Sequence, residues 1–213
     1  MFQTEGSSPI DEVAREAASC RICCERPLKA ALPHPARPIF RLSGQARVVI
    51  ASQAPGYRAH SSGVPFDDPS GVRLRDWMGL GTDRFYDAAR VAIVPMGFCF
   101  PGHDAQKGDL PPRPECRIAW HDRVFAALPQ AELILVIGLY AMRYHLPRQG
   151  VPVPAGAAMT DLVAEWRRLA GTRPRLIPLP HPSWRNSAWL NRNPWFAAEL
   201  LPELRAAGAR LTA

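Results

Sequence analysis

Residues 180–196, PHPSWRNSAWLNRNPWF, set an imidazole, His181, ahead of a run that holds Trp184, Arg185, Asn186, Trp189, Leu190 and Arg192. A histidine placed where an apolar, strand-like segment ends can donate a proton or steady the charge on a leaving group. Cations and aromatics within the next dozen residues can meet phosphates and fill the gap left by an extruded nucleotide, so the combination suits chemistry on a nucleic-acid base. A plainer reading stands beside it: His181 satisfied by backbone groups at a strand end, with tryptophans packed as core under a final helix. Trp195 and Phe196 fit that plainer reading.

A second group lies in residues 53–71, where Gln53, Gly56, His60, Gly63, Phe66, Asp67 and Asp68 combine flexible backbone, an imidazole, a carboxylate pair and an aromatic ring. Phe66 between Pro65 and Asp67 is unusual for a solvated loop; it can form a floor on which a flipped base stacks, or an anchor that tucks the loop onto the fold. Asp68, followed by Pro69 and Ser70, also fits a turn and helix cap. The third group is the cysteines. Cys20 and Cys23, with Cys99 and Cys116 flanking a later loop, can enclose a [4Fe-4S] cluster or a zinc ion, with Cys24 spare or replacing Cys23. The alternative is ordinary buried thiols, since only one pair is local.

Something must hold these groups together, and the hydrophobic pattern names it. Continuous apolar runs at residues 46–52, 91–96, 132–138 and 175–180 read as strands covered on both faces. Helical periods at 9–24, 71–79, 118–128, 139–146, 160–169 and 194–205 alternate with them, and a Pro-rich connection fills 26–40. Strands alternating with helices imply an α/β three-layer sandwich with a central four-stranded parallel sheet flanked by helices, its long loops gathered at the strands' carboxyl ends. All three chemical groups draw on those loops.

The 213 residues suit one domain, 1–213, with the helix and Pro-rich connection of 1–45 packing on it. Lys and Arg number 26 against 19 Asp and Glu, giving +7, a balance that favours polyanionic partners. No apolar run reaches the roughly 18 residues of a membrane span. The acidic start MFQTEGSSPIDEVAREA lacks the basic and apolar regions of a secretory leader, so a cytoplasmic, reducing setting is expected, with the thiols unpaired.

The ordered set QAPGYRAHSSGVPFDDPSGVRLRDWMG and HPSWRN resembles the uracil-DNA glycosylase superfamily. The Gly-x-Pro-Phe loop, the Arg-Asp-Trp helix and His-Pro-Ser-x-Arg-Asn are similar to the single-strand-selective monofunctional enzymes. Ala-Pro-Gly after the first strand and the cysteine arrangement resemble the iron-sulfur glycosylases of family 4. The resemblance implies that Phe66 stacks on a flipped uracil, with Ala54 and Gly56 beside it, and that His181 hydrogen-bonds the uracil O2 as charge develops. It implies that residues 183–193, from Ser183 through Trp184, Arg185, Asn186, Trp189, Leu190 and Arg192, enter the duplex. It implies a [4Fe-4S] cluster on Cys20, Cys23, Cys99 and Cys116, with zinc or no metal as alternatives. The expected partner is DNA carrying uracil or another deaminated base, with the chain acting as a monomer.

Two positions depart from the family pattern. Where relatives place a water-positioning Asp, Asn or Glu, this chain has Ala54 or Ala59, leaving Gln53, His60, Asp67 and Asp68 as substitutes. Where relatives read the uracil edge with Asn, Pro95 stands here, which shifts the reading to backbone groups of Met96, Gly97 and Phe98. Against a monofunctional glycosylase therefore stands a non-catalytic iron-sulfur protein of the same fold that only binds nucleic acid; a zinc-stabilised interaction domain is a third reading.

Overall fold

The computed structural model of the protein describes residues 8–106 and 108–213; the reading of the N-terminus rests partly on residues 1–7, outside that range. Four apolar runs form strands: β1 (Val48–Ala51), β2 (Val91–Ile93), β3 (Leu133–Ile137) and β4 (Arg175–Leu179). Every strand residue except Arg175 is buried, as expected of a sheet covered on both faces. All pairs are parallel in the order β2-β1-β3-β4, with Val48 opposite both Val91 and Leu133. The expected α/β three-layer sandwich with a central four-stranded parallel sheet is what forms.

From β1 the chain goes to one neighbour, β2, and then crosses to the other side for β3 and β4. The loops after β1 and β3 consequently diverge, and a crevice opens at the carboxyl ends between them.

Local chemistry sets the helices that frame this crevice. The Pro69–Met78 helix is capped by Asp68, whose carboxylate accepts from the Gly71 N–H at 2.8 Å, and it ends at Gly79 with φ 64°. Ahead of it, the loop after β1 contains a short helix, Tyr57–Ser62, that the polar sequence does not announce. The 9–24 period is interrupted: the helix Pro9–Ala18 stops at Ser19, whose hydroxyl donates to the Glu16 carbonyl at 3.0 Å, and a single turn, Ile22–Glu25, follows.

The N-terminal segment is tied to the rest at several points. Glu16 pairs with Arg123 at 2.8 Å, the Leu28 N–H donates to Glu115 at 2.9 Å, and the Ile39 N–H donates to the Phe98 carbonyl at 2.7 Å. One contiguous hydrophobic cluster includes residues from Ile10 to Leu211. Among the described residues no helix is long and apolar enough to cross a membrane.

Candidate active site

The crevice is a cleft of about 500 Å³. Its walls come from the loop after β1 (Gln53, Ala54, Gly56, Phe66, Asp68), from Tyr140 after β3, and from His181, Ser183, Trp184, Arg185 and Asn186 after β4. The two stretches singled out by sequence, 128 residues apart at Gln53 and His181, thus face one space.

Phe66 is half-buried, packed edge-on against Phe85 at 6.2 Å while also lining the cleft, so the ring that anchors the loop also faces the cleft. Its backbone is left-handed, φ 57°, a conformation that costs a non-glycine residue roughly 1–3 kcal/mol and persists only where neighbours impose it. The neighbours are visible. The Tyr86 hydroxyl donates to the Phe66 carbonyl at 3.2 Å and is itself met by Arg75 at 3.3 Å. Gly71 lets the following helix press on that carbonyl, because a Cβ there would lie 1.8 Å from the Phe66 oxygen.

His181 is held by its own loop. The Ser183 N–H donates to Nδ1 at 3.2 Å, which makes Nδ1 an acceptor and leaves the proton of the neutral ring on Nε2. Burial lowers the His181 pKa below the usual histidine range, with Arg185 pushing the same way against the carboxylates of Asp68 and Asp109. At neutral pH the ring is therefore an uncharged N–H donor. The Asn186 amide donates to the His181 carbonyl at 2.7 Å, and Arg73 donates to the Ser183 carbonyl at 3.1 Å, so the loop that carries the imidazole is braced from two sides.

Several residues singled out by sequence stand elsewhere. His60 does not line the cleft; its ring packs on His34 at 4.4 Å and Phe100 at 5.7 Å, and burial lowers its pKa. Asp67 is exposed outside the cleft, and Asp68, though lining it, is engaged as the helix cap. Met96, Gly97 and Phe98 lie behind the wall with their N–H groups engaged: Met96 to the Ser52 carbonyl at 2.8 Å, Gly97 to the Gln53 carbonyl at 2.9 Å, Phe98 to Cys116 Sγ at 3.3 Å. Their N–H groups are thus bonded within the protein. Gln53 remains as the amide in the wall, lying over Gly138, where a Cβ would come within 2.7 Å of its Nε2.

The wedge divides in the same way. Trp184 is 75% exposed at the cleft rim with Arg185 beside its ring at 5.9 Å. Trp189 turns inward, donating to Thr160 Oγ1 at 3.0 Å and packing edge-on against Phe196 at 5.7 Å, and Leu190 also packs on the core. Arg192 is exposed and bonded to the Ala188 carbonyl at 3.1 Å. Tyr140 and Asp109 also line the cleft, and sequence reasoning passed over both. Tyr140 follows a strand, which is a signal that could have found it; Asp109 sits in a loop whose path nothing local specifies.

The cysteines converge. Cys23, Cys99 and Cys116 are buried, and Cys20 is partly so. The Cys116 thiol bonds Cys23, which draws the Cys23 pKa down to about 7, while burial and the nearby sulfurs of Cys23, Cys20 and Cys24 push Cys99 up to about 12. Trp120 Nε1 donates to Cys20 Sγ at 3.3 Å, and Cys24 instead points to the His34 carbonyl at 3.7 Å. Among the described residues no three His, Cys, Asp or Glu side chains close around a point that would hold a single metal ion. Two of the thiols, Cys116 and Cys20, receive N–H bonds, and thiolate sulfur is the ligand type that an iron-sulfur cluster would require.

Fold and site together define a parallel α/β protein whose sheet edge carries an aromatic ring and a neutral imidazole in a cleft large enough for a nucleobase. A family model described as the Uracil DNA glycosylase superfamily matches residues 40–205. The chain belongs to that superfamily.

Proposed function

We propose that this chain is a monofunctional DNA glycosylase, acting as one domain, that extrudes uracil or a related deaminated base and hydrolyses its N-glycosidic bond to leave an abasic site. The observation that carries this is the placement of Phe66 and a neutral, Nε2-protonated His181 in one cleft. A base stacked on Phe66 recovers part of the stacking lost when it leaves the duplex. As the N1–C1′ bond lengthens, negative charge grows on the base, and an N–H donor that is already oriented and desolvated stabilises that charge more than it stabilises the neutral base, lowering the barrier. Trp184 suits the gap left in the stack, and Arg185 the flanking phosphates.

Cys20, Cys23, Cys99 and Cys116 would hold a [4Fe-4S] cluster, which when bound supplies a cross-link between the N-terminal segment and the loops around Cys99 and Cys116. Cys23 fits as the ligand better than Cys24, because it is the one bonded to Cys116. Iron content and visible absorption of the purified protein test this: both are expected to vanish in Cys23→Ser and to survive in Cys24→Ser. Bound zinc without iron would return the third reading, a zinc-stabilised module.

The competing reading, a non-catalytic iron-sulfur protein that recognises nucleic acid, is favoured by one observation: Ala54 and Ala59 offer no group for water, and Asp68 is engaged in a cap. An abasic-site assay on single- and double-stranded oligonucleotides carrying uracil, hypoxanthine or xanthine separates the two. Release is expected, and it should be lost in His181→Ala and Phe66→Ala while both variants keep their fold. Salt-sensitive binding with no abasic product on any of the three bases would establish the binder instead.

A further inference from the structure

At the two positions of the first loop where relatives carry the water-positioning residue this chain has Ala54 and Ala59, yet a carboxylate reaches the loop from another part of the chain. Asp109 lines the same cleft as His181 and Phe66. Its Oδ2 hangs over the loop after β1, within 3.4 Å of where a Cβ on Gly56 would sit. Its other oxygen, Oδ1, meets His103 Nε2 at 3.3 Å. His103 is itself placed by ring contacts with Phe100 at 4.9 Å and Tyr57 at 6.1 Å, and the backbone is pinned by a bridge between His103 and Asp109 and by the Leu110 N–H to the Gly102 carbonyl at 2.9 Å. Unlike Asp68, Asp109 caps no helix, and unlike Asp67 it faces the cleft.

We infer that Asp109 is the catalytic carboxylate that positions the attacking water, with His103 as the residue that orients it. The inference rests on the glycosylase reading and supplies the part that the first loop lacks. The step balances as a hydrolysis. The C1′–N1 bond breaks with its electron pair departing on the base, whose charge the His181 Nε2–H stabilises. The water oxygen bonds to C1′, and Asp109 takes one of its protons. That proton passes through solvent to N1 of the free base, which restores the carboxylate and leaves a C1′ hydroxyl on the sugar. Before water adds, the same carboxylate lies as an anion beside the positive charge growing on the sugar.

The test is single-turnover release of uracil from an oligonucleotide by wild type, Asp109→Asn and Asp109→Ala, with strand binding measured in parallel. Asp109→Asn is expected to slow release about 100-fold, a typical worth for a positioned general base, with binding unchanged. Added formate, a free carboxylate, should restore part of the rate to Asp109→Ala and none to wild type. An active wild type with Asp109→Asn within about threefold of it overturns the assignment and leaves the glycosylase reading intact. So does a loss in both variants that formate leaves unchanged and that comes with weakened binding, because that would mark a structural role. An inactive wild type overturns both.

Discussion

His181 and the two tryptophans that follow it show how much one side chain's surroundings decide. The Ser183 N–H and the protein interior together keep the imidazole neutral with its proton on Nε2; neither is a property of histidine itself. Trp184 and Trp189 are chemically identical and five residues apart, yet one is in solvent and the other bonds Thr160 and packs on Phe196. They should therefore fail differently. Trp184→Ala is expected to leave the denaturation midpoint unchanged while weakening binding to duplex substrate, measured by fluorescence anisotropy, by about tenfold, the loss of one stacked base contact. Trp189→Ala is expected to destabilise the fold by roughly 2–4 kcal/mol in urea titration, because it empties a packed site.

At the scale of elements, the Pro69–Met78 helix is less a scaffold beside the site than a press on it. Its cap at Asp68 fixes where it begins, and Gly71 then lets it close on the Phe66 carbonyl, which Tyr86 holds from the other side. A methyl at position 71 cannot fit at 1.8 Å, so Gly71→Ala should push Phe66 out of its left-handed backbone and cut base release at least tenfold. Tyr86→Phe removes one hydrogen bond, about 1 kcal/mol, and should give a milder version of the same defect. Release rates measured beside far-ultraviolet circular dichroism check both; equal activity in Gly71→Ala and wild type would mean that Phe66 is placed by something else.

For the molecule as a whole, two buried histidines couple stability to pH. Burial lowers His121 to about 4 and His145 to about 3, with the nearby His121 pushing His145 the same way. Above the ordinary histidine range both states are neutral and nothing changes. As pH falls from about 6.5 toward about 4, the unfolded chain takes up protons that the folded one refuses, so stability drops by up to about 1.4 kcal/mol per pH unit for each ring. Urea midpoints across that window should fall accordingly, and His145→Gln should reduce the slope. A flat profile would mean that both rings take up protons as readily in the folded chain as in the unfolded one.

The sheet was legible because its apolar runs have only one stable use, burial on two faces, and the helix at residue 69 because Asp-Pro-Ser is capping chemistry wherever it occurs. The ordered motifs of residues 53–79 and 181–186 likewise named the superfamily and the two residues, Phe66 and His181, that meet in the cleft. What sequence could not settle is direction and company. The short helices Tyr57–Ser62 and Ser187–Arg192 lie in stretches too polar and short to show a period, and it is their packing that sends His60 toward Phe100 and Trp189 toward the core. Met96, Gly97 and Phe98 could not be seen as engaged, because their hydrogen-bond partners, Ser52, Gln53 and Cys116, come from distant segments. Asp109 was silent for the same reason. Local sequence determines what a segment can form, since caps and periodicity act within a few residues, but which groups share a cleft depends on contacts between segments far apart in the chain, and only the folded sheet edge brings Gly56, Asp109 and His181 to one place.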